Sequence, residues 1–264
     1  MTKKEYEIQL LSLDILNTEI KLLTFHCPQI AQEAESGQFV NLSVPGNFLL
    51  KRPFGISSTN PEDGTFSIGV RSAGQGTREL LNSKPGDFFS ALGPLGNGFS
   101  LEGVRKIIAI GGGTGIFPLR FALEAAKKKE IPNICVIGFR SRKDAVFLKE
   151  LEALSENNFI VTTDSGDLGT KGTVLDGLKQ LHPEDLQDST ILCVGPEIMM
   201  KHVTDWAKKN NLPCQISMEK RMACGIGICL VCACKVTHEE NDFHHVRCCR
   251  EGPVFPADQI IWEN

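Results

Sequence analysis

The chain has 264 residues, 41% of them hydrophobic and 23% charged, which suits one large soluble domain or two moderate ones with a small appendage. A formal net charge of -4 excludes the basic footprint of a nucleic-acid binder. No run of about 18 apolar residues offers a membrane-spanning helix, and the start, MTKKEYEIQL, has no uninterrupted apolar stretch that would read as a secretion signal.

Residues 1–102 alternate short apolar runs at 5–13, 19–25, 38–44 and 65–70 with turns at Pro45-Gly46, 61–64 and Pro85-Gly86. That rhythm predicts an antiparallel barrel or sandwich, with one short helix over 76–82. Within it, LKRPFGISS carries Arg52, and GQGT at 74–77 opens the helix as a possible seat for phosphate. From about residue 103 the pattern changes. Strands at 106–110, 133–139, 158–163, 189–194 and 213–218 alternate with helices at 117–128, 144–154, 171–181 and 197–209, which predicts a parallel sheet covered on both faces. The segment 218–264 is too small to bury a core of its own and needs a staple.

IIAIGGGTGIFPL places Gly111, Gly112, Gly113, Thr114 and Gly115 between the first of these strands and its helix. A strand–glycine–helix junction lets a pyrophosphate approach backbone amides at a helix start; a tight turn without ligand has the same composition. Asp164 ends the third strand at the carboxyl edge, as a ligand contact or an Asx turn. Arg140 and Arg142 follow the second strand, where they meet a 2′-phosphate or lie in a solvated loop.

Six of the ten cysteines fall between Cys224 and Cys249. A cytosolic chain disfavours disulfides, so the crowding points to metal or redox chemistry. Cys224-x4-Cys229-x2-Cys232, with a fourth thiol at Cys248 or Cys249, is the spacing of plant-type [2Fe–2S] ligation. Gly225 and Gly227 allow a loop to wrap the cluster and turn its amides toward sulfur. Zinc is the competing metal, kept open by His238, His244 and His245. Cys27, Cys135 and Cys214 read as small buried hydrophobes.

Together these motifs resemble the ferredoxin–NADP reductase superfamily over the whole length, and more narrowly the electron-transfer subunits of type B dihydroorotate dehydrogenase, the PyrK family. RPFGIS resembles the Arg-Pro-x-Ser flavin motif, and GVRSAGQGT the second flavin segment. GGGTGIFPL resembles the pyridine-nucleotide turn, and MEKRMACGIGICLVCAC with CREGPVF the cluster loop and its closing strand. The resemblance implies a six-stranded flavin-binding β-barrel (1–102), an NAD-binding α/β domain (103–217) and a [2Fe–2S] segment (218–264). It implies FAD held by Arg52, Pro53, Phe54, Gly55, Gly69, Val70, Arg71, Gly76 and Thr77, and NAD at Gly111–Gly115. The cluster would sit on Cys224, Cys229, Cys232 and Cys249. Gly55 stands where the flavin motif has Ser, with Ser57 as the substitute. Val194-Gly195-Pro196 stands where the superfamily has Cys-Gly-Pro, with Cys193 one position early.

NADH gives up two electrons as hydride, whereas a [2Fe–2S] cluster takes one at a time, and a flavin connects the two. No nucleophile or acid–base set for an organic substrate accompanies these motifs. The resemblance therefore implies a cytoplasmic electron-transfer subunit serving an FMN-containing catalytic subunit that oxidises dihydroorotate for pyrimidine synthesis, in a heterotetramer of two of each chain, with electrons running from FMN through the cluster and FAD to NAD. The alternatives are the same kind of subunit serving a hydrogenase or ferredoxin-dependent transhydrogenase, and a zinc-stapled nucleotide-binding redox sensor.

Overall fold

The alternating runs of the first part close on themselves. In the computed structural model, which describes residues 4–156, 158–238 and 242–262, the strands are β1 (Glu5–Ile15), β2 (Ile20–His26), β3 (Phe39–Leu42), β4 (Arg52–Asn60), β5 (Thr65–Arg71) and β6 (Phe88–Leu95). They form a closed antiparallel barrel in the order β1-β2-β5-β4-β3-β6. Side chains that alternate inward, among them Leu10, Leu23, Phe25, Val40, Leu42, Ile56 and Ile68, make one buried core, as period-two patterning requires. Closure leaves no edge strand to protect. Helix α1 (Pro28–Glu33), which the sequence reading did not foresee, starts with Pro at its first turn. Helix α2 (Gln75–Leu81) lies one residue earlier than expected.

The second part follows the expected alternation: β7 (Lys106–Gly112), α3 (Ile116–Lys128), β8 (Asn133–Phe139), α4 (Leu148–Leu154), β9 (Phe159–Thr163), β10 (Thr170–Lys171), α5 (Val174–Leu178), α6 (Pro183–Leu186), β11 (Ser189–Val194), α7 (Glu197–Lys209) and β12 (Cys214–Ser217). The sheet order is β10-β9-β8-β7-β11-β12, with the final strand β15 (Val254–Pro256) added antiparallel beside β12. A hairpin of β13 (Ala233–His238) and β14 (Asp242–Arg247) precedes β15. Alternate residues of β7 enter different cores. Ile107 and Ala109 pack toward α3. Ile108 and Ile110 pack into a core that also holds Phe39 and Leu95 of the barrel and Cys232, Cys234, Cys248 and Cys249. One apolar cluster therefore joins barrel, sheet and cysteine segment.

Two helices differ from expectation for local reasons. The helix expected from 144 starts at Leu148 because Phe147 adopts a left-handed conformation, φ 59°. The helix expected over 171–181 shrinks to α5 because Thr170–Lys171 pairs with β9 instead, and Thr173 then caps the helix, its N–H bonded to Asp176 Oδ2 at 2.9 Å.

Candidate cofactor and cluster sites

The cysteine loop holds its thiols in two pairs. Cys224 Sγ accepts from the backbone N–H of Ile226 (3.5 Å), Ile228 (3.4 Å) and Cys229 (3.5 Å) and contacts the Cys229 thiol. Gly225 and Gly227, at φ 69° and 83°, give the loop the left-handed turns that aim those amides inward. Burial pushes the Cys224 thiol up, but the three amide donors outweigh it and bring the pKa down to about 6. The second pair is Cys232 and Cys249: Cys249 N–H donates to Cys232 Sγ at 3.4 Å, and the thiols touch. Burial, with Cys232 beside it, pushes Cys249 up to about 12, so a cation must displace its proton before it can ligate.

Cys248 points elsewhere. Its Sγ lies 3.3 Å from Met218 O in the core, and burial pushes the thiol up. Cys234 is buried too, its pKa raised to about 11 by burial. Among the described residues no three His, Cys, Asp or Glu side chains converge on one point. A single tetrahedral zinc needs such a convergence; a binuclear centre taking two thiolates per iron fits two pairs. His244 and His245 are exposed on β14, and the His238 side chain lies outside the described residues. The loop is braced by Arg247, which sequence reasoning missed. Its Nη1 donates to Gly227 O at 2.9 Å and its Nε to Glu251 Oε2 at 3.0 Å. The only sequence signal is an Arg and a Glu four residues apart.

In the glycine turn, four glycines serve two ends. A Cβ on Gly111 would lie 2.7 Å from Leu119, on Gly112 2.5 Å from Met199 Sδ, and on Gly115 2.4 Å from Val194 O. These three permit close packing of strand, helix and neighbouring turn. Gly113, at φ 55°, faces open space, and with half-buried Thr114 it is where a nucleotide can reach the backbone. Beside the turn, Lys220 Nζ bonds Glu197 Oε2 at 3.3 Å, tying α7 to the start of the cysteine segment. Cys193 is fully buried, so the thiol one position early is a core side chain. Arg142 is engaged: its Nε (3.1 Å) and Nη2 (2.8 Å) donate to Asp167 O. Asp164 and Arg140 are exposed and linked through backbone, Asp164 N–H to Phe139 O and Ser165 N–H to Arg140 O, both at 3.1 Å.

The barrel segments meet at the same place. A Cβ on Gly55 would lie 3.3 Å from Pro118, and one on Gly69 only 2.3 Å from the Phe117 ring. Both flavin-type segments thus abut the first turn of α3, directly after the glycine turn. The Arg52 guanidinium lies beside Gly76, whose added Cβ would be 3.3 Å from Arg52 Nη2, and over the Phe48 ring at 5.5 Å. No heavy atom is near an added Cβ at Gly74. Arg52, whose Nη1 also donates to the Leu50 and Lys51 carbonyls, and the start of α2 therefore share one cationic seat, open at Gly74, which fits a pyrophosphate. Ser57 is the extra residue of a β-bulge in β4, fully buried, with no hydrogen-bond partner for its hydroxyl among the described residues; such a group calls for one. The remaining expected contacts split. Thr77 Oγ1 accepts from Gly74 N–H at 3.0 Å and closes the turn, Arg71 pairs with Glu19 at 2.9 Å, and the Val70 side chain is in the barrel core, leaving its backbone. Pro53 and Phe54 are half-buried on β4.

Residues 219–261 match the family described as the iron–sulfur cluster binding domain of dihydroorotate dehydrogenase B, and residues 109–205 match the oxidoreductase NAD-binding domain. The chain is 36% identical over 245 residues, 93% of its length and 94% of the relative's, to the dihydroorotate dehydrogenase B (NAD(+)) electron transfer subunit of Caldanaerobacter subterraneus subsp. tengcongensis. It is 33% identical over 267 residues, covering 98% and 99%, to the subunit of the same name from Desulforamulus reducens. Among solved structures it superposes with a TM-score of 0.86 and 29% identity on an NADH-dependent reduced ferredoxin-NADP oxidoreductase studied for flavin-based electron bifurcation, covering 96% of this chain and 89% of that one.

Proposed function

The chain belongs to the family of dihydroorotate dehydrogenase B electron-transfer subunits, and on that premise we propose that it carries electrons from a catalytic subunit to NAD in pyrimidine synthesis. The observation that carries the reading is the meeting of the Arg52–Gly55 strand and the Gly111–Gly115 turn at the first turn of α3, while β7, which leads into that turn, shares a core with Phe39 and Leu95 of the barrel and with Cys232 and Cys249. FAD, when bound, exchanges electron pairs with a nicotinamide and single electrons with an iron–sulfur centre.

The chain's own residues supply placement. Arg52 and the start of α2 (Gly76, Thr77) hold the FAD pyrophosphate. Pro53, Phe54 and Gly55 on β4, with the backbone of Gly69, Val70 and Arg71 on β5, line the rest of the flavin seat. Gly113 and Thr114, framed by Gly111, Gly112 and Gly115, admit the NAD pyrophosphate. Cys224 with Cys229, and Cys232 with Cys249, would hold the [2Fe–2S] cluster, and the Ile226, Ile228 and Cys229 amides donate to the Cys224 sulfur that would ligate it. Phe117 and Pro118 pack against Gly69 and Gly55 at the joint between the halves.

Cys229 is exposed, as are Ile228, Leu230 and Val231 around it. That face suits the FMN-containing catalytic subunit, in a cytoplasmic heterotetramer of two of each chain. The likeness to a ferredoxin-NADP oxidoreductase supports a second reading, the same electron carrier serving a ferredoxin-linked transhydrogenase. The test is anaerobic co-purification with the FMN-containing partner. Dihydroorotate should then drive NAD reduction in the complex and not with the partner alone. A complex that fails to form, or that reduces NAD only with reduced ferredoxin, contradicts the first reading. Arg52→Ala should weaken FAD binding about 10- to 100-fold, since a charge-assisted contact contributes roughly 1.5–3 kcal/mol.

A further inference from the structure

Asn41 joins the two cofactor regions and belongs to none of the motifs. It sits on β3 between Val40 and Leu42, both fully buried in the barrel core, so its own side chain points out of the barrel. An outward polar side chain on a barrel is ordinarily wet, yet Asn41 is 1% exposed, because the cysteine loop lies on it. Its Nδ2 donates to Cys224 O at 3.4 Å, and a Cβ on Gly225 would come within 2.8 Å of the same nitrogen. Across the barrel strands, Asn41 is in register with Pro53, the second residue of the Arg52–Gly55 stretch, and residues so paired are side-by-side neighbours on one face. Its Oδ1 is buried and has no hydrogen-bond partner among the described residues. One amide thus touches the cluster loop through its nitrogen and leaves an acceptor free beside the flavin strand. Leaving such an acceptor unmatched costs stability, which argues for a role beyond packing.

We propose that Asn41 is a positioning residue that fixes the cluster loop against the flavin strand, its Nδ2 tuning the cluster through the Cys224 peptide and its Oδ1 serving as an acceptor for the flavin. This rests on the functional reading above. The Nδ2–H dipole brings positive charge toward the cluster and favours its reduced form. Removing the donor lowers the cluster potential, and loosening the loop slows electron arrival.

The test uses the complete complex with Asn41→Leu, which keeps the bulk and loses both polar atoms, and Asn41→Asp, which keeps the shape and acceptor and loses the donor. Iron, sulfide and FAD contents, the cluster midpoint potential by EPR-monitored titration, and stopped-flow reduction by NADH are measured for each. The expected result is a lower potential in Asn41→Leu and a lower one still in Asn41→Asp, with cluster bleaching slowed at least tenfold relative to flavin bleaching in both. If Asn41→Leu fails to assemble its cluster, Asn41→Asp decides alone. Wild-type potential, EPR line shape and bleaching ratio in the assembled variants would overturn the role of Asn41 and leave the functional reading standing. A wild-type complex without FAD or cluster would overturn both.

Discussion

The glycine turn at 111–115 and the cysteine loop at 224–232 are both rich in glycine, and glycine serves them differently. In the turn, Gly111, Gly112 and Gly115 are small because Leu119, Met199 and the Val194 carbonyl leave no room; only Gly113 opens to solvent. In the loop, Gly225 and Gly227 take left-handed angles that bring three amides onto Cys224 Sγ. The first set makes a rigid joint with one window, and the second turns the amides of a loop onto one sulfur. A glycine-rich stretch is therefore not by itself a binding signal; what each glycine faces decides.

That contrast can be broken at its strongest point by exchanging the adjacent cysteines. Cys249→Ser should lose the cluster, read as iron and acid-labile sulfide, whereas Cys248→Ser, whose sulfur faces Met218 O, should keep it. The reverse pattern would overturn the pairing of Cys232 with Cys249. Next in size, Gly115→Ala meets backbone that cannot yield and should cost about 2 kcal/mol of stability in denaturant titration. Gly113→Ala should cost about 1 kcal/mol for its left-handed angle while raising the KM for NADH more than Gly115→Ala does. Equal effects of the two on KM would erase the distinction between joint and window. Gly225→Ala, which presses on Asn41, should release iron to a chelator several-fold faster than wild type, with the melting temperature of the barrel and sheet little changed.

The smallest effect comes from a third glycine-containing turn, at 170–173, which is assigned no ligand. There the Asp176 carboxyl is drawn down to about 2 by the Lys179 ammonium and then by the Thr173 N–H. Its folded pKa is depressed, so its stabilising contribution is present above the ordinary carboxylate range and is lost as pH falls through about 2. Asp176→Asn should flatten that acid-limb dependence slightly and leave cofactor content and NADH oxidation unchanged.

How much of this was legible in the sequence depends on how local each feature is. Strands β8 and β11 and helix α7 have the bounds their apolar periodicity implies, because burial on the sheet and one apolar helix stripe write themselves into the spacing. The start of α4 does not, since it turns on the left-handed angle of Phe147. Nor does β15, three residues whose strand character comes from pairing with β12. The spacing of Cys224, Cys229 and Cys232 was readable, but the choice between Cys248 and Cys249 needed the family resemblance or the direction of each sulfur. Arg142 reads as a possible phosphate contact and is engaged by Asp167 O, a partner 25 residues away. Asn41 carried no sequence signal at all, because its importance lies in what a strand 183 residues upstream of Cys224 packs against.

The proposed arrangement on which the rest depends is two thiol pairs holding a binuclear iron–sulfur centre in electrical contact with a nicotinamide site. Its most direct measurement is metal and acid-labile sulfide analysis of the anaerobically purified complex, combined with EPR after addition of NADH. That arrangement requires two irons and two sulfides per chain and a paramagnetic signal that appears on reduction. One zinc per chain without sulfide, or an iron centre that NADH leaves silent, would contradict it.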